Sequence, residues 1–223
     1  MGLLIAFLVI LAWVGHLIFS LVYISPDFTS PWMYFHVLLQ GYLFTGLFIT
    51  GHDAMHGTVT ENRTINQLVG WLATFLFAGL LYNKLTKNHG LHHQYPAQEK
   101  DPDFYTKSQN FFKWFGVFMY RYVTIWQILI MAGIYNILLI WFDDANLLVF
   151  WITPALLGTL QMFYFGVFVP HKRPHKENMK PYNARTQNKN HIKAMLSCYF
   201  FGYHYEHHDS PRVPWWKLHK KKA

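Results

Sequence analysis

Lysine and arginine are confined to two blocks of this 223-residue chain. Seven lie in residues 63–121 and twelve in 172–223, and none of the 19 lies in 1–62 or 122–171. The stretches without them hold long apolar runs at 2–24, about 32–50, about 122–142 and 147–169, each near the roughly 20 residues a helix needs to cross a bilayer. Apolar residues make up 52% of the chain, and their grouping in runs of this length does not fit a water-soluble layered core. The pattern predicts an all-α integral membrane protein, one domain over residues 1–223, with four transmembrane helices.

The links between runs support that reading. Pro26 and Pro31 bracket the first turn, Asp143 and Asp144 begin the third, and Asp27, Asp143 and Asp144 are the only charges in the two links on that side. By the positive-inside rule the basic blocks, and with them both termini, face the cytoplasm. The net charge of +8 is then explained by orientation and headgroup contact, and a nucleic-acid partner is not required. The first run has no basic leader and no small-x-small site, so it reads as a span and not as a cleaved signal. Residues 110–120, aromatic with Lys113 inside, suit a helix lying at headgroup level. The single cysteine, Cys198, excludes an internal disulfide framework and a Cys-rich zinc or iron–sulfur site.

Nitrogen ligands remain, and the basic blocks and their borders carry them. His52 and His56 are spaced i, i+4, while His89, His92 and His93 repeat the H-x-x-H-H spacing of His204, His207 and His208. On a helix such spacings turn the imidazoles toward one side, where a shared metal could be held. Eight histidines exceed the four ligands of one zinc, so two metals are the natural count. Iron, zinc, copper and nickel all accept imidazole. A common site requires that residues 65–82, apolar but short, do not cross the membrane, since a crossing there would put the first pair opposite the second cluster. They are read as an interfacial or re-entrant helix pair. His16 and His36 lie within apolar runs without a spaced partner, and His175, His191 and His219 read as surface residues.

The strings around these histidines carry a resemblance. The three clusters, in this order between apolar runs, are similar to those of the membrane fatty-acid desaturase and hydroxylase superfamily. Gly51-His52-Asp53-Ala54-Met55-His56-Gly57, Lys100-Asp101-Pro102-Asp103-Phe104, Phe165 through Pro170-His171, and Phe201-Gly202-Tyr203-His204-Tyr205-Glu206-His207-His208 with Val213-Pro214-Trp215-Trp216 resemble the bacterial β-carotene ketolases within it. His219 stands where many ketolases have proline. The resemblance implies a cytoplasmic di-iron site in the bacterial inner membrane, ligated by His52, His56, His89, His92, His93, His204, His207 and His208, with His171 as a ninth ligand. Asp53 and Glu206 would orient ligand rings, unless they are interfacial carboxylates facing Lys or Arg. Asp101 and Asp103 are weaker candidates, because Asp-Pro-Asp is also an ordinary turn.

It also implies an activity: two dioxygen-dependent hydroxylations at C4 of a β-ionone ring, then dehydration of the gem-diol to a ketone. The carotenoid would enter from membrane lipid. With no G-x-G-x-x-G, P-loop or CxxC in the chain, electrons would come from a separate donor such as ferredoxin. The competing expectations are a carotenoid hydroxylase or lipid desaturase of the same superfamily, and a dizinc membrane hydrolase or metal-binding protein.

Overall fold

The computed structural model describes residues 1–222, and no strand occurs among the described residues. The frame is three long helices: α1 (Gly2–Tyr23), α2 (Pro31–Met55) and α7 (Asp144–His171). Each is long and apolar enough to cross a membrane. Pro31 opens α2, where its missing N–H leaves nothing unsatisfied. In α7 two π-helical stretches, Leu148–Ile152 and Tyr164–Phe168, interrupt the α-helical hydrogen bonding. Trp13 and Leu17 of α1, Phe44 and Leu47 of α2, and Phe150 and Trp151 of α7 form the main buried cluster. On the outside, Phe7, Leu8, Leu11, Ile18 and Val22 of α1 are exposed, an apolar surface suited to lipid. The protein is an integral membrane protein.

α2 and α7 approach closely because Gly41 and Gly158 face each other. A Cβ on Gly158 would lie 2.9 Å from the Gly41 carbonyl oxygen and 2.9 Å from Phe44 Cβ. Across this contact the Thr45 hydroxyl donates to Gln161 Oε1 at 2.6 Å. Small residues that let helix backbones meet supply much of the packing energy inside a bilayer. Gly158→Val should therefore destabilise the fold by about 1–3 kcal/mol or more, read as a lower unfolding midpoint in detergent; an unchanged midpoint would show that the close approach is dispensable.

Two bent pairs complete the core. α3 (Arg63–Ala78) is capped by Asn62, whose Oδ1 accepts the Ile65 N–H at 3.0 Å, and stops at Gly79 with φ 63. It lies along only the C-terminal half of α2: Asn66 donates to the Ala54 carbonyl at 2.7 Å, Thr74 fills the space beside Gly51, and Phe77 meets Phe44. After a 100° bend α4 (Tyr82–Gln94) carries the second histidine cluster back toward the end of α2. α5 (Phe111–Tyr122) and α6 (Ile125–Leu138) meet at 86°. α5 is the separate amphipathic helix expected near 110–120, with Trp114 and Phe118 buried and Phe112 and Tyr120 exposed.

The fourth span, expected at 122–142, differs. Its helix covers only Ile125–Leu138, 14 residues, or roughly 21 Å against a hydrocarbon core of about 30 Å. Tyr122 belongs to α5 instead. Val123 is extended, Thr124 caps α6 by accepting the Gln127 N–H, and Lys84 Nζ reaches the Arg121 carbonyl at 2.9 Å. The tail adds α8 (His191–Cys198), α9 (His204–Asp209) and α10 (Trp215–Leu218).

Candidate metal centre

The nine histidines come together from four elements: His52 and His56 at the end of α2, His89, His92 and His93 on α4, His171 at the end of α7, and His204, His207 and His208 on α9. They form two groups, His52, His56, His89, His93 and His207, and His92, His171, His204 and His208. Within each, one nitrogen per ring lies within 4.8 Å of every other. Each H-x-x-H-H triplet is therefore divided between two sites and does not point at one. Positions i and i+4 are about 40° apart on a helix, whereas i+3 lies about 60° to the other side of i. So His89 and His93 share one site and His204 and His208 the other, while His92 and His207 cross over.

The residues fit metal ions. Nε2 atoms converge in pairs, His56 with His89 at 2.7 Å, His93 with His207 at 3.0 Å, and His204 with His171 at 2.9 Å and with His208 at 3.1 Å. About 3 Å is the separation of two nitrogens that sit about 2.1 Å from one ion at right angles. Both ring nitrogens of His52, and Nδ1 of His204 and of His208, are buried without a hydrogen-bond partner, at about 1–3 kcal/mol for each such group. Burial, and then neighbouring histidines, push His204, His207 and His208 well below the ordinary imidazole range. The neutral ring that results is the form that ligates metal.

His92 differs from these. Burial alone would keep it neutral, but the Asp101 carboxylate, with Asp103 behind it, holds it up to about 9. Its Nδ1 lies 3.1 and 3.0 Å from the two Asp101 oxygens, which also accept the N–H groups of Ala97 and Asp103 at 2.8 Å each. His171 is held likewise, its Nδ1 3.1 Å from the Asn183 carbonyl. Such partners fix the tautomer and leave Nε2 for metal.

The other candidates sort differently. Asp53 Oδ1 is 3.7 Å from His52 Nδ1, beyond a hydrogen bond, and its Oδ2 accepts the Trp215 N–H at 3.1 Å; it ties α2 to α10. Of the two roles open to Glu206, orienting a ring or facing Lys or Arg, the structure has the second. Its oxygens accept from Thr186 at 2.6 Å and Lys222 at 3.1 Å, because it lies on the face of α9 turned away from the rings. Sequence reasoning undervalued Asp101, whose signal was only its place in an Asp-Pro-Asp string. His16 and His36, which lacked spaced partners, find each other at 3.0 Å, and His16 Nδ1 meets Gln40 Oε1 at 2.5 Å. This network holds α1 to α2 and shares no residue with either histidine group.

Comparison with known proteins agrees with this arrangement. The Fatty acid desaturase family matches residues 29–128 and 119–223. The chain is 40% identical over 184 residues to Zeaxanthin 4-ketolase of Chlamydomonas reinhardtii, covering 80% of this chain and 41% of that protein. It is 37% identical over 185 residues to Beta-carotene 4-ketolase 3 of Haematococcus lacustris, covering 79% and 58%. To Beta-carotene ketolase of Paracoccus sp. (strain PC1) it is 38% identical over 181 residues, covering 79% and 74%. The chain thus spans about half the length of the algal relatives and about three-quarters of the bacterial one. No solved structure matches it. With two histidine groups assembled from the strings that first suggested the kinship, and with these matches, the chain belongs to the fatty acid desaturase family and is related within it to the β-carotene ketolases.

Proposed function

We propose that this protein is a di-iron, dioxygen-dependent β-carotene 4-ketolase. The observation that carries the reading is an apolar cavity of about 270 Å³ whose wall includes His52, His89, His92 and His204. Phe48, Phe77, Leu85, Met131, Ile152 and Val167 form part of the rest. A cavity of this kind suits a hydrocarbon ring and offers little to a polar substrate. A shallow groove sharing Val123, Gln127, Met131 and Ile152 continues along α6 past Ile128 and Tyr135, a path for a long polyene arriving from lipid.

His52, His56, His89, His93 and His207 would hold one ion, and His92, His171, His204 and His208 the other. Two irons so bound would supply activation of dioxygen and attack on an unactivated C–H. The chain's own residues do the rest. The aromatic wall excludes water, and Phe201 packs its ring 4.7 Å from that of His52 and 5.3 Å from that of His207, between the cavity and the tail. Held in such a cavity, the ring has its C4 methylene presented to the histidine end, and positioning of this kind supplies much of an enzyme's rate. Each hydroxylation takes up one dioxygen, two electrons and two protons and releases water. Two hydroxylations at C4 and loss of water give the ketone. Among the described residues neither histidine group includes a carboxylate, and Asp101 and Asp103 stand behind His92, which favours this reading over a hydrolytic dizinc centre.

The histidine groups and both termini face the cytoplasm of a bacterial inner membrane, following the one-sided Lys and Arg distribution. A small acidic redox protein such as ferredoxin delivers the electrons to that basic face. Expression in a β-carotene-producing host should yield 4-keto-carotenoids, and none without oxygen. Products hydroxylated only at C3 would make the chain a hydroxylase. Changed fatty acids with unchanged carotene would make it a desaturase, and ketone formed without oxygen would end the oxygenase reading.

A further inference from the structure

We propose that Asp103, set by Tyr122, is a positioning residue that receives the C4 hydroxyl of the once-oxygenated ring and holds the alcohol in place for its second oxygenation. The inference rests on the ketolase reading and concerns a step that reading leaves open: why the alcohol stays.

Asp103 and Tyr122 both line the apolar cavity beside His92. Asp103 is 9% exposed and is framed on every side by the backbone. Its N–H donates to Asp101 Oδ1 at 2.8 Å, its carbonyl accepts from Trp114 Nε1 at 2.7 Å, and Arg121 Nη1 donates to the flanking carbonyls of Pro102 at 2.7 Å and Phe104 at 2.9 Å. The Tyr122 hydroxyl donates to Oδ1. Oδ2 accepts no hydrogen bond among the described residues; His92 Nδ1 lies 3.8 Å away and is already engaged by Asp101. Of the other non-histidine polar side chains in the wall, Gln127 gives its NH2 to the Ala78 carbonyl at 2.8 Å and Thr159 its hydroxyl proton to that of Ala155 at 2.8 Å, and neither carries a charge. A carboxylate oxygen fixed in position thus faces an apolar cavity next to a metal-site histidine, with its acceptor capacity unused.

A β-ionone ring with a methylene at C4 has no use for that acceptor. After one oxygenation the ring carries a hydroxyl, which loses its hydrogen bonds to water on staying in an apolar cavity. A carboxylate acceptor returns one, and a charge-assisted bond is about twice as strong as a neutral one. The site then discriminates between alcohol and hydrocarbon through a buried polar group left unpaired by the latter. Fixing the hydroxyl also fixes the carbon that bears it, so the remaining C4 hydrogen stays turned toward the histidine end. The second hydroxylation again takes up one dioxygen, two electrons from the external one-electron donor and two protons. The gem-diol then loses water to the ketone.

The test compares wild type, Asp103→Ala and Tyr122→Phe, each assayed for bound iron and for its alcohol-to-ketone ratio from β-carotene and supplied with the 4-hydroxy-carotenoid as substrate. In Asp103→Ala the ratio should rise about tenfold, and kcat/KM for the alcohol should fall about tenfold more than that for β-carotene. Tyr122→Phe, which leaves the carboxylate free to turn, should move both in the same direction by less. Should Asp103→Ala not retain iron, Tyr122→Phe and anaerobic binding to the wild type decide, the wild type binding the alcohol more tightly than the hydrocarbon. Equal binding, or an unchanged ratio in a variant that keeps its iron, overturns the role of Asp103 and leaves the ketolase reading standing. A wild type that makes no 4-oxygenated carotenoid overturns both.

Discussion

His208→Ala should lower bound iron from about two ions per chain to about one, whereas His89→Ala should keep nearly both. The asymmetry follows from the division of the rings. His208 belongs to the group of four with His92, His171 and His204, and its loss leaves three nitrogens. His89 belongs to the group of five, and its loss leaves four. Both variants should lose ketone formation by more than the roughly 10–100-fold seen when a residue that only orients a ligand is changed. Metal analysis of the purified variants reads the first effect and product analysis the second. His219→Ala is the comparison: its ring packs against His191 and Phe200, so both ions should stay. Equal iron loss in His208→Ala and His89→Ala would refute the division into two groups. Stoichiometric zinc, with activity kept after iron chelation, would refute the iron assignment.

The division itself was not legible in the sequence, although the nine histidines were. Spacing says that i, i+3 and i+4 rings leave a helix within about 100° of one another, but where that arc falls between two ions depends on how α4 and α9 are set against the ends of α2 and α7. The same limit applies to His16 and His36. They are 20 residues apart on different helices, and only the register of α1 against α2 brings their rings together, with Gln40 on the other nitrogen of His16. The long spans were legible because apolar length is a property of the chain alone. The fourth run was drawn too wide at its start because composition stays apolar across Val123 and Thr124, where α5 ends and Thr124 caps α6. For residues 65–82 hydropathy alone also suits a short span, and what composition does not carry is the 100° bend between α3 and α4. For Glu206 the sequence left two readings open, and the one facing Lys holds because the residue lies on the face of a short helix turned from the rings.

Asp101→Ala should weaken iron binding at the four-histidine group by about 10–100-fold, and Asp101→Asn should do nearly as much. Asp101 is 1% exposed and its two oxygens serve three donors: His92 Nδ1, the Ala97 N–H and the Asp103 N–H. Asparagine keeps one acceptor oxygen and brings an NH2 toward groups that are themselves donors, so it cannot serve all three. Without the carboxylate, His92 can take the other tautomer and turn its Nε2–H toward the metal, and two backbone N–H groups lose their partner in a buried turn, at about 1–3 kcal/mol each. The predicted signature is therefore a joint loss, lower iron affinity in chelator competition together with a lower unfolding midpoint. Glu206→Gln separates this from a general effect of removing negative charge near the histidines. Glu206 contacts Thr186 and Lys222 and no ring, so its substitution should leave iron affinity unchanged. Iron lost on changing Glu206 but kept on changing Asp101 would reverse the assignment of the orienting carboxylate.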